Sequence, residues 1–314
     1  MKPKGEPRTL SGDSLWILRH IRGAGCVWNR FFFEQIPPHS LSAFRVLYGI
    51  YLLVYFLRFA GRIGLMFSRE GVYLPFIIPD IAPPPVVSHG VYGALLIAIV
   101  LFVVGWRTRI VTPIVLALFV YHWLLYLSAF NTAYDRLNLI FLVVLSFTDL
   151  DAVWSIRAVD QRGEPRVTAW AQRLLGLQLA LLYFGAGLWK LTNPSWHSGN
   201  VIEFNTIGPY GTWLSFWLAG AGTPSWAYAI VAWSVIIFEL LAGFALYSRR
   251  GRKYVIAIGT VFHLANWTLL FIPEFLHCAL LYVLFVEPET LRRLGEGASR
   301  VLGTSAGHFA SGSR

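Results

Sequence analysis

The chain has 314 residues, of which 56% are hydrophobic and only 13% charged, with a formal net charge of +10. A soluble domain carries about 25% charged residues, so this composition excludes an ordinary soluble fold and predicts an integral membrane protein. The positive charge is spread over segments between apolar runs, where retention and anionic headgroups account for it, and no nucleic-acid partner is expected.

In chain order, the opening "MKPKGEPRTLSGDS" lacks the apolar core and small-residue cleavage site of a removable signal. The following "SLWILRHIRGAGCVWNRFFFEQIPP" mixes Trp, Phe and Leu with Arg. It predicts an amphipathic helix along the inner headgroup layer, within a leader over residues 1–41. Apolar runs then fall at 42–57, 90–106, 110–129, 137–150, 174–190, 227–247, 254–271 and 274–286. The expected architecture is all-α, a polytopic helical bundle of about eight transmembrane helices over residues 42–287. The fourth and eighth runs fall short of the roughly 20 residues of a perpendicular crossing, which predicts burial inside the bundle or partial re-entrance. Residues 288–314 are expected to form a loose cytoplasmic tail.

With eight crossings, the basic groups around Arg107 and Arg109, around Arg157, Arg162 and Arg166, and from Arg249 to Lys253 share one side with the leader. The positive-inside rule makes that side the cytoplasm, with both termini in it, and the location the cell membrane. Arg58, Arg62 and Arg69 in the first external loop dissent, whereas residues 191–226 carry no Lys or Arg. Cys26 and Cys278 fall in different settings, the histidines form no ligand motif, and no metal is expected. Motifs of the forms GxxxxGK[ST] and HExxH are absent.

The informative residues are then those that are costly in lipid. Lys190, in "LLYFGAGLWKLTNPSW", comes about 17 residues after Arg173, roughly 25 Å along a helix and near the outer end of the hydrocarbon. That depth allows an anchor that snorkels to the headgroups. Its helical face instead carries Gly187, Ala186, Tyr183, Leu179 and Gly176, of which the glycines and the alanine favour close packing and an inward-facing lysine. His263 stands near the middle of "YVIAIGTVFHLANWTLLF", with Asn266 three residues on, Trp267 adjacent, and Gly259 and Thr260 behind. This pair reads either as interhelical hydrogen bonding or as part of a site.

Glu239, in "WSVIIFELLAGFALYSRRGRK", needs a partner. Arg45 near the start of the first span is the candidate on grounds of depth, giving an expected structural ion pair. Asp135 and Arg136 read as a weak rim pair at the mouth of the fourth span. Trp196, Tyr210, Trp213, Trp217 and Trp226 form either an interfacial belt or a cover over a site.

Four stretches carry a resemblance: "SLSAFRVLYG" at 40–49, "YFGAGLWKLTNPSWHSG" at 183–199, "FELLAGFALY" at 238–247 and "FHLAN" at 262–266. In this order and spacing the chain resembles the membrane domain of the vitamin K-dependent gamma-carboxylases and their short bacterial relatives, the HTTM-type family. The resemblance implies that a lysine amine deprotonates a reduced naphthoquinone, which reacts with O2 and becomes an epoxide. The alkoxide formed on the way then removes a proton from the gamma carbon of a peptide glutamate, and the carbanion takes up CO2. Lys190 matches the base and His263 a second catalytic residue. Tyr183, Trp196, Asn266, Trp267 and Asn131 are placed around the pocket, with membrane lipids, the quinone and a secreted peptide as partners.

Three departures stand out. Where the family has a histidine after an asparagine, this chain has Ala133 or Tyr134; no counterpart of the large lumenal domain of the full-length enzymes is expected; and the family's Gly-Met is here Pro273 and Glu274. Two classes of function follow: a quinol-dependent enzyme centred on Lys190, or a non-catalytic membrane partner in the maturation or export of a secreted peptide toxin. Neither reading fixes an oligomeric state.

Overall fold

A computed structural model describes residues 25–71, 81–126, 133–156, 158, 164–272 and 276–297. The first part of the leader, Asn131, Pro273, Glu274 and the end of the tail lie outside these residues.

Helix α1 covers residues 25–33 and leads into α2, His39–Leu57, which starts three residues earlier than the apolar run suggests. There follow α3, Ile63–Phe67; α4, Pro85–Val104; α5, Thr108–Leu125; and α6, Ala133–Ser146. After these come α7, Trp170–Leu191; the short α8, Pro194–His197, α9, Asn200–Ile207 and α10, Trp213–Gly220; then α11, Ser225–Tyr247, and α12, Gly251–Leu270. The last span is a helix, α13, Leu276–Leu280, tightened into a 3₁₀ turn over Leu281–Phe285. Within the described residues each of the eight apolar runs is mainly helical, and the molecule is an all-α membrane bundle. Among the described residues, five stretches are long and apolar enough to cross a bilayer: His39–Phe67, Pro85–Val104, Thr108–Leu125, Trp170–Leu191 and Ser225–Tyr247. Outward-facing apolar side chains such as Ile97, Leu181 and Phe244 are exposed on these helices, as lipid contact requires.

Local chemistry sets the breaks. Pro85 occupies the first turn of α4, where a missing N–H costs nothing. Gly105 ends that helix with φ +74°, a left-handed conformation that suits glycine. Its N–H reaches back to Phe102 O, closing the turn before α5.

Helices α2, α4, α5 and α6 pack as one group, and α7, α11 and α12 as another. The last span lies between them, touching α2 on one side and α7 and α12 on the other. Its His277, Cys278, Leu281 and Tyr282 are buried, as its short length predicts. Gln172 Nε2 donates to Leu284 O at 2.5 Å and Arg252 Nη1 to Phe285 O at 3.3 Å, satisfying carbonyls that a helix end leaves orphaned.

The structure corrects three expectations. Residues 288–297, assigned to the loose tail, are helical (α14), with Leu291 buried and Arg292 paired with Glu289 at 2.9 Å. Asp135 is not a rim residue: it is 2% exposed and accepts a hydrogen bond from Tyr55 at 3.0 Å. Arg45 does not pair with Glu239. Fully buried, it donates to the carbonyls of Leu150, at 2.7 Å, and Trp154, so it ties the start of α2 to the loop after α6. An arginine fork can satisfy two backbone acceptors from one position, which a single carboxylate partner does not demand. Arg45→Ala is therefore expected to lose about 3 kcal/mol by leaving these carbonyls unsatisfied. An unchanged melting temperature in detergent would refute that role.

Candidate functional site

Close packing of α7 on α11 builds the site. A side chain at Gly187 would place its Cβ 2.9 Å from Leu240 N, and one at Gly243 would place its Cβ 2.8 Å from Ala180 O. Only hydrogens fit between the helices at these two points, as small-residue seams in membranes allow. The approach carries Lys190, one turn beyond Gly187, against Glu239. Lys190 Nζ lies 2.7 and 2.6 Å from the two carboxylate oxygens. Their side chains are 13% and 6% exposed, so the amine is drawn into the bundle and not out to a headgroup. The indole of Trp196 lies 4.9 Å from the same nitrogen, a cation–π distance. Trp196 is placed there by α8, where the Asn193 side chain accepts a hydrogen bond from Ser195 N at 3.1 Å and so caps the first turn.

Two turns back along α7, the Tyr183 hydroxyl sits 2.8 Å from His263 Nε2 and also hydrogen-bonds the Tyr282 hydroxyl. Gly259 makes room for this: a Cβ there would overlap the Tyr282 phenol. Tyr183, His263 and Tyr282 are all buried, and each contributes a polar group that the low-dielectric interior obliges to be partnered.

Between these groups lies a cavity of about 290 Å³. Its polar groups come from Lys190, Glu239, Tyr183, His263, Asn205 and Asn266, and aromatic wall from Trp189, Trp196 and Phe262. An apolar chamber with a few convergent polar groups is the usual form of a small-molecule site.

Of the residues expected at a site, Lys190, His263, Tyr183, Trp196 and Asn266 converge on this one cavity. Glu239, assigned to a distant structural pair, joins them. Trp267 does not: it is 44% exposed and is absent from the wall. Asn131 lies outside the described residues. Tyr210, Trp213, Trp217 and Trp226 are exposed and do not line the chamber, whereas Val201, Ile202 and Asn205 of α9 do. Sequence reasoning missed α9, Cys278 and Tyr282. The four-residue spacing of Cys278 and Tyr282 within a short apolar run was the available sign that this run has a polar-handled inner face.

A helical membrane bundle with a buried lysine–carboxylate pair on the wall of an aromatic chamber defines the class of protein. Within that class the assignment is specific: the HTTM domain family model matches residues 33–289, and the chain belongs to the HTTM domain family. The match spans both helix groups, the cavity and the last span, in keeping with the likeness of its motifs to the vitamin K-dependent carboxylase-like membrane domain. No solved structure matches the chain.

Proposed function

We propose that the protein is a membrane enzyme that uses Lys190 to deprotonate a reduced naphthoquinone. The observation that carries this reading is the pair of hydrogen bonds from Lys190 to Glu239 on the wall of a partly open aromatic chamber. A flat bicyclic ring suits the space, because Trp189, Trp196 and Phe262 offer aromatic faces and Asn205 and Asn266 offer amides at the polar edge. Such a quinol supplies an acidic hydroxyl and, with O2, the oxidation chemistry of the family resemblance.

The residues divide the work. Away from bulk water an ion pair and its neutral counterpart, amine beside carboxylic acid, are close in energy, since separating charge from solvent is costly. Glu239 takes a proton from Lys190 along the 2.6 Å bond. The free amine then accepts the hydroxyl proton: an N–H bond forms, the O–H bond breaks, and its electron pair stays on oxygen. Trp196 covers the amine and keeps it from water. Tyr183, held by His263 and Tyr282, fixes the opposite wall. On this reading the enzyme lies in the cell membrane with its termini in the cytoplasm and receives its quinol through the lipid. The resemblance adds CO2 and a secreted peptide glutamate as the acceptor.

A second reading has its own support. The same ion pair joins α7 to α11, and a non-catalytic partner of a secreted peptide would use it as structural glue. Purified protein in nanodiscs, given reduced naphthoquinone and O2, separates the two. Quinone epoxide detected by mass spectrometry with wild type but not with Lys190→Ala supports the enzyme; no epoxide from a folded wild type, with and without added glutamate peptide, overturns it.

A further inference from the structure

Among the described residues, every charged side chain on the cavity wall belongs to one pair. Lys190 and Glu239 sum to zero whichever atom holds the proton between them. The other polar lining groups among the described residues are amides, a phenol, a thiol, the indole N–H groups of Trp189 and Trp196, and an imidazole whose Nε2 is engaged by Tyr183; none carries a formal positive charge. From Leu191 to Ser248, the segment that supplies α8, α9, α10 and α11, the sequence contains no further Lys or Arg. Lys190 also has little left to offer: two of its directions are taken by the carboxylate oxygens, and the Trp196 ring lies 4.9 Å away.

We propose that the chamber admits an uncharged ring and turns anions away, with Glu239 as the residue that sets this preference. The proposal rests on reading the cavity as a substrate site, and it deepens that reading by naming the substrate class. An anion entering the chamber gives up much of its water, meets no unpaired cation among the described residues, and faces the Glu239 carboxylate of the resting ion pair. A neutral quinol or quinone loses only weak hydration and gains aromatic contact. Discrimination therefore arises from a built-in repulsive element as well as from attraction. Lys190 then does not act as a receptor for a peptide carboxylate; a glutamate side chain that reaches the chamber does so as the neutral acid.

The test is a binding comparison in nanodiscs, read by quenching of tryptophan fluorescence and corrected for partitioning into empty discs. The ligands are menadione and the naphthoquinone that carries a ring carboxylate in place of the methyl group. Wild type is expected to bind the neutral ring at least about tenfold more tightly. Glu239→Gln keeps the shape of the side chain but frees the lysine charge, so the anionic ring is expected to gain about tenfold in affinity. The double change Lys190→Gln with Glu239→Gln removes both charges and returns the preference for the neutral ring. Equal binding of the two rings by wild type overturns the proposal even if Glu239→Gln fails to fold, as does a folded Glu239→Gln with wild-type selectivity. Absence of saturable binding of either ring removes the substrate site itself. Discrimination without any epoxide formation sinks only the proposed oxidation chemistry and leaves the selectivity standing.

Discussion

Lys190→Arg is expected to retain the folded bundle and lose about a hundredfold or more of quinol-dependent turnover. The guanidinium keeps a cation beside Glu239, so the charge pairing across α7 and α11 survives in kind. What disappears is the ability to exist as a free amine, because arginine stays charged at any pH a protein tolerates. General-base catalysis is worth about 10²–10⁴-fold, which sets the size of the loss. A structural pair predicts the opposite outcome, near-normal activity with at most a modest change in melting temperature. Turnover and thermal stability measured on one preparation therefore separate reagent from glue.

Gly187→Leu is expected to be the most damaging single change on α7, while Gly185→Leu, two residues away, is tolerated. At Gly187 a Cβ meets the backbone nitrogen of Leu240 at 2.9 Å and Glu239 Cβ at 3.1 Å, so the helices must move apart. At Gly185, which is exposed, nothing lies within 4 Å of the same atom. Overpacking alone costs about 1–3 kcal/mol. Separating Lys190 from Glu239 adds about 3–5 kcal/mol, the penalty of a buried charge left without its partner. Together these exceed what a marginally stable protein tolerates. The expected result is loss of the folded, monodisperse protein for Gly187→Leu and a near-wild-type melting temperature for Gly185→Leu. Equal behaviour of the two variants would show that the seam does not hold the pair together.

The bundle was legible because bilayer thickness writes itself into run length, and because small residues at helical spacing mark a packing face. Gly187, Ala186 and Tyr183 pointed the Lys190 face inward, and the structure places that face against α11. The partner of Glu239 was not legible. Depth along separate helices singled out Arg45, but depth says nothing about which helices are neighbours, and α11 packs chiefly on α7. Arg45 found backbone carbonyls instead, acceptors that no sequence pattern displays. The His263 neighbourhood was half legible: its mid-span position identified it, whereas Tyr282 reaches it from an element eleven residues further along the chain than α12. Trp267 failed for a simple reason of angle. Four residues after His263 it shares a face only approximately, and the small remaining rotation carries its large ring outward.

The wedge formed by α13 and its 3₁₀ turn also bears on how the molecule is made. Tyr51, Tyr134 and Phe141 of the first helix group surround His277, while Tyr183 and Gly259 of the second receive Tyr282. This centrepiece follows every other bundle-forming span in chain order. Both helix groups therefore precede in the chain the segment that joins them, and the chamber gains Cys278 as part of its wall only when that last segment packs.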